Sequence, residues 1–114
     1  MKDCLFCKIA ALQIPSKIVY EDELVLAFRD ISPQAASHVL IVPREHLDGL
    51  NNLEQVEDSL LAALLRAARK VAEKEGIETS GYRLVANCGP HACQSVHHLH
   101  FHVLGGQQMS EKMV

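Results

Sequence analysis

Residues His98, His100 and His102 occupy alternate positions in the run His98-Leu99-His100-Phe101-His102-Val103-Leu104, with only apolar or aromatic residues between them. In an extended chain successive side chains project to opposite faces. The spacing therefore aligns three imidazoles on one face and sets Leu99, Phe101 and Val103 on the other. Each two-residue step advances about 6.6 Å, near enough for neighbouring imidazoles to share a metal ion or a phosphate-sized group. A lone strand histidine is ordinarily a half-buried residue with a hydrogen-bond partner. Three in one row, backed by an apolar face, point to chemistry. Two kinds suit the row: metal ligation, or attack by an imidazole nucleophile with acid–base help from its neighbours.

Other reactive residue types lie away from the row. Cys4 and Cys7 form a Cys-x-x-Cys pair, a spacing shared by zinc sites, by dithiol redox motifs and by pairs of buried free thiols. Ser95 lies just ahead of the row and Asn87 ahead of a loop, where both residue types commonly satisfy turn backbone. Cys88, His91, Cys93 and His97 crowd the same loop, and for loop residues a solvated role is the ordinary one.

The elements that must position these residues follow from the pattern of apolar runs. Ile18-Val19-Tyr20 and Val25-Leu26-Ala27-Phe28, separated by polar Glu21-Asp22-Glu23, predict a hairpin. The near-continuous apolar run His38–Val42, stopped by Pro43, predicts a strand buried on both faces. Val56, Leu60, Leu64, Ala68 and Val71 recur at helical spacing, which predicts a helix capped by Asn52, braced by Gln55 and ended at Gly76. Tyr82–Ala86 reads as a fourth strand, residues 87–94 as a Gly/Pro-containing loop, and Val96–Leu104 as the histidine strand, ended by Gly105-Gly106. A short apolar opening, Leu5–Leu12, precedes them. The expected class is α+β: a five-stranded, mostly antiparallel sheet with one long helix and a short N-terminal helix.

With 114 residues, 48% of them hydrophobic, the chain is sized for one modest core, so a single domain over residues 1–114 is expected. Eleven basic residues against 14 acidic ones, net -3 and without a basic run, argue against an extended nucleic-acid surface. No stretch approaches the roughly 20 apolar residues of a membrane span, and no apolar leader follows a charged start. A soluble, cytoplasmic protein is expected, with its four cysteines as thiols or metal ligands rather than a disulfide framework.

The segment from Gln94 to Leu104 resembles the signature of the histidine triad (HIT) family, three alternating histidines followed by two apolar residues. Leu5-Phe6-Cys7-Lys8-Ile9, the block Phe28–Ala35 with His38, and Leu104-Gly105-Gly106 agree in order and spacing, so the resemblance covers nearly the whole chain. It is closest in kind to the Hint branch of small nucleoside phosphoramidases. The resemblance implies a two-fold homodimer with its sheet extended across the protomers, and hydrolysis of purine nucleoside 5'-phosphoramidates to a nucleoside monophosphate and an amine. The reaction would pass through a covalent nucleotidyl intermediate on His100. The residue chemistry agrees, because a neutral imidazole is a competent nucleophile near pH 7 if an acceptor such as a main-chain carbonyl holds its other nitrogen.

By the same resemblance His98, His102, His38 and Ser95 assist catalysis. Leu5, Phe6, Ile9, Phe28 and Ile31 form an AMP or GMP pocket, Asp30 receives the ribose hydroxyls, and Asn87 and Cys93 approach the phosphate. No cofactor is needed for the chemistry, and some relatives hold a structural zinc at positions matching Cys4, Cys7, His46 and His98. The chain departs from the pattern at His97, where a bulky residue is usual, and at Cys93, where glycine is usual. Three other functions compete. A dinucleoside polyphosphate hydrolase would prefer diadenosine polyphosphates as substrates. A nucleotide-binding regulatory protein would keep its effect without His100. A catalytic metalloenzyme using the three histidines would lose activity on chelation.

Overall fold

Val39, Leu40, Ile41 and Val42 run through the middle of an antiparallel sheet, and every residue of their strand is buried. The structure is a computed structural model that describes residues 4–114. In chain order it contains α1 (Leu5–Ala10), β1 (Ile18–Glu21), β2 (Val25–Arg29), β3 (Ser37–Pro43), a 3-10 segment (Leu50–Gln55), α2 (Asp58–Lys74), β4 (Tyr82–Val85), a short 3-10 turn (Pro90–Ala92) and β5 (Phe101–Gly105). The five strands form one sheet in the order β1-β2-β3-β5-β4, and all four pairings are antiparallel.

Alternation along the strands divides the core in two. Val25, Ala27, Val39, Ile41 and Val103 face α2 and pack with Leu60, Leu64, Ala68 and Val71, the stripe expected from the helical spacing. Leu26, Phe28, Leu40 and Val42 face the other way and meet Phe6 and Ile9 of α1. β5, between β3 and β4, sends Val103 into the α2 layer and turns His102 to the opposite face. No helix among the described residues is long and apolar enough to cross a membrane.

The β1–β2 hairpin forms as expected, and Asp22 closes it by accepting from the backbone N–H groups of Leu24 and Val25 at 2.8 and 2.9 Å. The long helix differs from expectation at its start. Leu50, Leu53 and Val56 pack against the core at a spacing of three, which suits a 3-10 segment. Asn52 therefore caps the 3-10 segment and not α2: its Oδ1 accepts from Gly49 N–H at 3.1 Å, and α2 starts later with no side-chain cap. Its end is as expected: Gly76 at φ 72 lets Ile77 N–H reach the Ala72 carbonyl and turn the chain back to the core.

The histidine strand is also shorter than expected, starting at Phe101 rather than Val96. Leu99 N–H donates to the Leu47 carbonyl at 2.6 Å, and the His98 carbonyl receives the His100 ring, so neither group joins a ladder. The alternation survives outside the regular strand: Leu99, Phe101 and Val103 pack toward α2 while the three imidazoles face the other side.

Candidate active site

His98, His100 and His102 share a face, but each is held differently. His100 is 5% exposed, and its Nδ1 lies 2.7 Å from the His98 carbonyl oxygen. A carbonyl only accepts, so Nδ1 carries the proton and the Nε2 lone pair is free. The edge of the Phe6 ring packs against this imidazole at a centroid distance of 5.1 Å.

His102 is set by a chain of three groups. Gln34 N–H donates to His38 Nδ1 at 3.0 Å, which leaves the His38 proton on Nε2. That Nε2–H donates to His102 Nδ1 at 2.8 Å, so the His102 proton sits on Nε2, the atom not engaged by His38. Burial, reinforced by His100 and His38 alongside, pushes the His102 pKa down to about 4. Burial also holds His38 below its ordinary value, against the upward pull of Asp30. The Asp30 Oδ2 contact with His38 Nε2, at 3.5 Å, is therefore a carboxylate facing a neutral ring.

A cleft of about 310 Å³ opens beside these histidines. Leu5, Phe6, Ile9 and Phe28 line it, together with Asp30, Ile31, Ser95, His100 and His102. The volume is at the lower end of the range for small-molecule sites. Ile31 is 95% exposed, so it forms part of the rim rather than a wall. Ile14, Leu40 and Val96 also line the cleft and were not marked by the sequence. Asn87 and Cys93 do not line it, and His38 stands behind His102. Cys93 adopts φ 60 and ψ 39, the left-handed conformation that favours glycine.

His98 turns away from the cleft into a second cluster. Its Nδ1 lies 3.3 and 3.4 Å from the sulfurs of Cys4 and Cys7, and His46 Nδ1 lies 3.2 Å from the Cys7 sulfur. The opposite nitrogens face acceptors, His98 Nε2 on the Pro43 carbonyl and His46 Nε2 on Asp48 Oδ1, both at 2.8 Å. Both protons are therefore on Nε2, and two Nδ1 lone pairs converge with two thiols. Tetrahedral zinc with ordinary Zn–S and Zn–N lengths has an S–N edge of about 3.6 Å. The four donors fit that ion in chemistry and spacing, and Pro43 and Asp48 orient the rings as ligand histidines require. Burial pushes the Cys7 thiol above its ordinary pKa, with the Cys4 sulfur adding to the shift.

Asp30, His38 and His102 also bring three possible ligand atoms within 4.8 Å. Here the chemistry disagrees, because the Gln34 N–H places the His38 proton on the nitrogen that would have to ligate. The groups the sequence did not mark, Gln34 N–H and the carbonyls of Pro43 and His98, are main-chain atoms with no residue-type signal. Asp48 carries a faint one, a carboxylate two residues after a histidine.

The HIT domain family model matches residues 11–109. A 14 kDa zinc-binding protein from Zea mays is 53% identical over 109 residues, spanning 93% of this chain and 84% of its own. The purine nucleoside phosphoramidase of Escherichia coli strain K12 is 44% identical over 108 residues, spanning 95% and 91%. The solved structure of a HIT family hydrolase from Clostridium thermocellum superposes with a TM-score of 0.96 at 46% identity, covering 100% of this chain and 99% of that one. Triad, cleft and whole-chain similarity agree: this chain belongs to the HIT domain family.

Proposed function

We propose that this protein hydrolyses purine nucleoside 5'-phosphoramidates to the nucleoside monophosphate and an amine, with residues 1–114 acting as one domain. The observation that carries the reading is the His100 tautomer: Nδ1 is held by the His98 carbonyl at 2.7 Å, leaving Nε2 as a nucleophile beside the cleft. In this reading Nε2 attacks the α-phosphorus and the P–N bond breaks. The nitrogen leaves as the amine with a proton passed from solvent through the Ser95 hydroxyl, while neutral His102 donates a hydrogen bond from Nε2–H to a phosphate oxygen. Water then attacks the nucleotidyl-His100 phosphorus and releases the monophosphate. The nucleoside occupies the apolar walls, with its ribose hydroxyls donating to Asp30. His98, with both ring nitrogens engaged, contributes through its carbonyl rather than as a donor to phosphate.

Cys4, Cys7, His46 and His98 would hold a structural zinc, in keeping with the name of the maize zinc-binding protein. Bound there, zinc would tie α1 to the histidine segment, and four protein ligands leave no open position for an activated water. The reading includes a two-fold dimer joined through an edge strand, β1 or β4, which sedimentation would test.

The deciding experiment is turnover of a fluorogenic adenosine phosphoramidate by wild type and His100→Ala, beside a diadenosine polyphosphate. The expected result is preference for the phosphoramidate and a loss of roughly a thousandfold or more in the variant. Equal turnover by the two proteins would remove His100 as nucleophile.

A further inference from the structure

We propose that Cys4 and Cys7 are a site of reversible oxidation whose disulfide disables the nucleotide cleft. The Cys-x-x-Cys spacing belongs to redox dithiols as much as to metal sites, and the geometry suits both. Cys4 is the N-cap of α1, and its sulfur accepts from Cys7 N–H at 3.4 Å, one helical turn on. Residues so spaced meet the Cα separation of a disulfide, about 4.4 to 6.8 Å. Both sulfurs lie within 3.4 Å of the same His98 nitrogen, both residues are half-buried, and neither is in a disulfide. A small peroxide is the oxidant class. The two sulfurs give up two electrons, the S–S bond forms, the O–O bond breaks, and hydrogen peroxide leaves as two waters, its two added protons coming from the thiols or, where metal holds them as thiolates, from solvent.

The consequence follows from what those sulfurs hold. A disulfide removes two of the four donors, so His98 keeps only the Pro43 carbonyl. The main chain of that same histidine supplies the oxygen that fixes the His100 tautomer. The other end of the pair is α1, which carries Leu5, Phe6 and Ile9 of the cleft wall and places the Phe6 ring against His100. One covalent change thus reaches the nucleoside wall through α1 and the nucleophile through His98. The effect on nucleotides rests on the reading of the cleft given above.

The test is graded hydrogen peroxide on protein isolated with its metal. Four readouts are followed together: the mass of the tryptic peptide 3–8, which contains both cysteines, zinc released to a chromogenic chelator, AMP affinity by calorimetry, and the 15N shifts of His100. The expected result is loss of two hydrogens from that peptide in step with metal release. AMP affinity should fall by at least about tenfold, and the His100 signal should move from a single Nδ1–H tautomer to a mixture. Dithiothreitol with zinc should restore all four.

Full oxidation of peptide 3–8 with the His100 signal unchanged overturns the proposal. Oxidation at Cys88 or Cys93 with peptide 3–8 still reduced also overturns it. Reduced protein that fails to bind AMP counts against the nucleotide reading instead, because the His100 shifts still decide the switch.

Discussion

The rings of His100 and His102 are 5.1 Å apart and oppositely protonated, Nδ1–H in the first and Nε2–H in the second. One main-chain carbonyl and one main-chain N–H, relayed through His38, set that difference. Unfolded histidine titrates near about 6.5, whereas folded His102 holds its pKa at about 4. Between those values the unfolded chain binds a proton that the folded chain refuses. The contribution is therefore fully present above about pH 6.5 and is lost as pH falls toward about 4. His38 and His98, shifted down by burial, act with the same sign. The melting temperature should fall on acidification through this window, and His102→Asn should show a shallower fall. Backbone strain gives a second test. Leu12 follows α1 at φ 60 and is 70% exposed, so it takes the left-handed position without much burial in return. Leu12→Gly should raise stability by about 0.5 to 1 kcal/mol in urea melts. At this scale the alternating histidines were legible because alternation is a property of neighbouring residues. A main-chain carbonyl on the His100 ring was expected in kind, though not as that of His98; the His102 state was not, since the Gln34 N–H that sets it leaves no trace in residue type.

Among the elements, β5 depends most on a missing side chain. Gly105 is its last residue, paired with both Ser37 and Tyr82, and not merely the residue that ends it. A Cβ there would lie 2.7 Å from Ile77 Cδ1 and 3.1 Å from the Gly81 carbonyl oxygen. Ile77 is itself buried against α2, so it has little room to swing. Gly105→Ala should cost about 1 to 3 kcal/mol, read as a lower urea midpoint with an unchanged slope. The end of α2 is fixed by another contact: the nearly buried Glu75 carboxylate receives Arg29 Nη2 at 2.6 Å and Ser37 Oγ at 2.8 Å, binding the helix to β2 and β3. Strands β1 to β4 were legible from composition and breakers. The start of α2 was not, because Leu50, Leu53 and Val56 follow a period of three, close enough to 3.6 to read as more of the same helix. The start of β5 was hidden by Leu47, whose carbonyl takes the Leu99 N–H out of any ladder.

Across the whole molecule, two clusters share one segment, with the Cys/His group on one side of His98 and the cleft on the other. If zinc occupies the first, it binds the folded chain and not the unfolded one, so its removal lowers stability by mass action. Protein stripped with a strong chelator should melt at least several degrees lower, and about one zinc per chain should restore it. Retained turnover in the stripped protein would separate a structural metal from a catalytic one. The expectation of an α+β sheet with a histidine row was met. The bridging of the two clusters by His98 was out of reach from sequence, since it joins residues 94 and 91 positions apart.

That separation also bears on how the protein is made. The interior strand β5 is the last of the five in chain order, and it pairs with β3 and β4 on either side. Until residues 98–105 leave the ribosome, β3 and β4 each present an unpaired edge. Cys4 and Cys7, synthesised first, have no His98 to meet, so nucleophile, cleft and Cys/His cluster must come together in one late step. Long-range pairing of this kind folds slowly and exposes sheet edges while it waits. A ribosome stalled near residue 97 would therefore hold Leu5, Phe6, Ile9, Phe28 and Asp30 of the cleft without the nucleophile they surround.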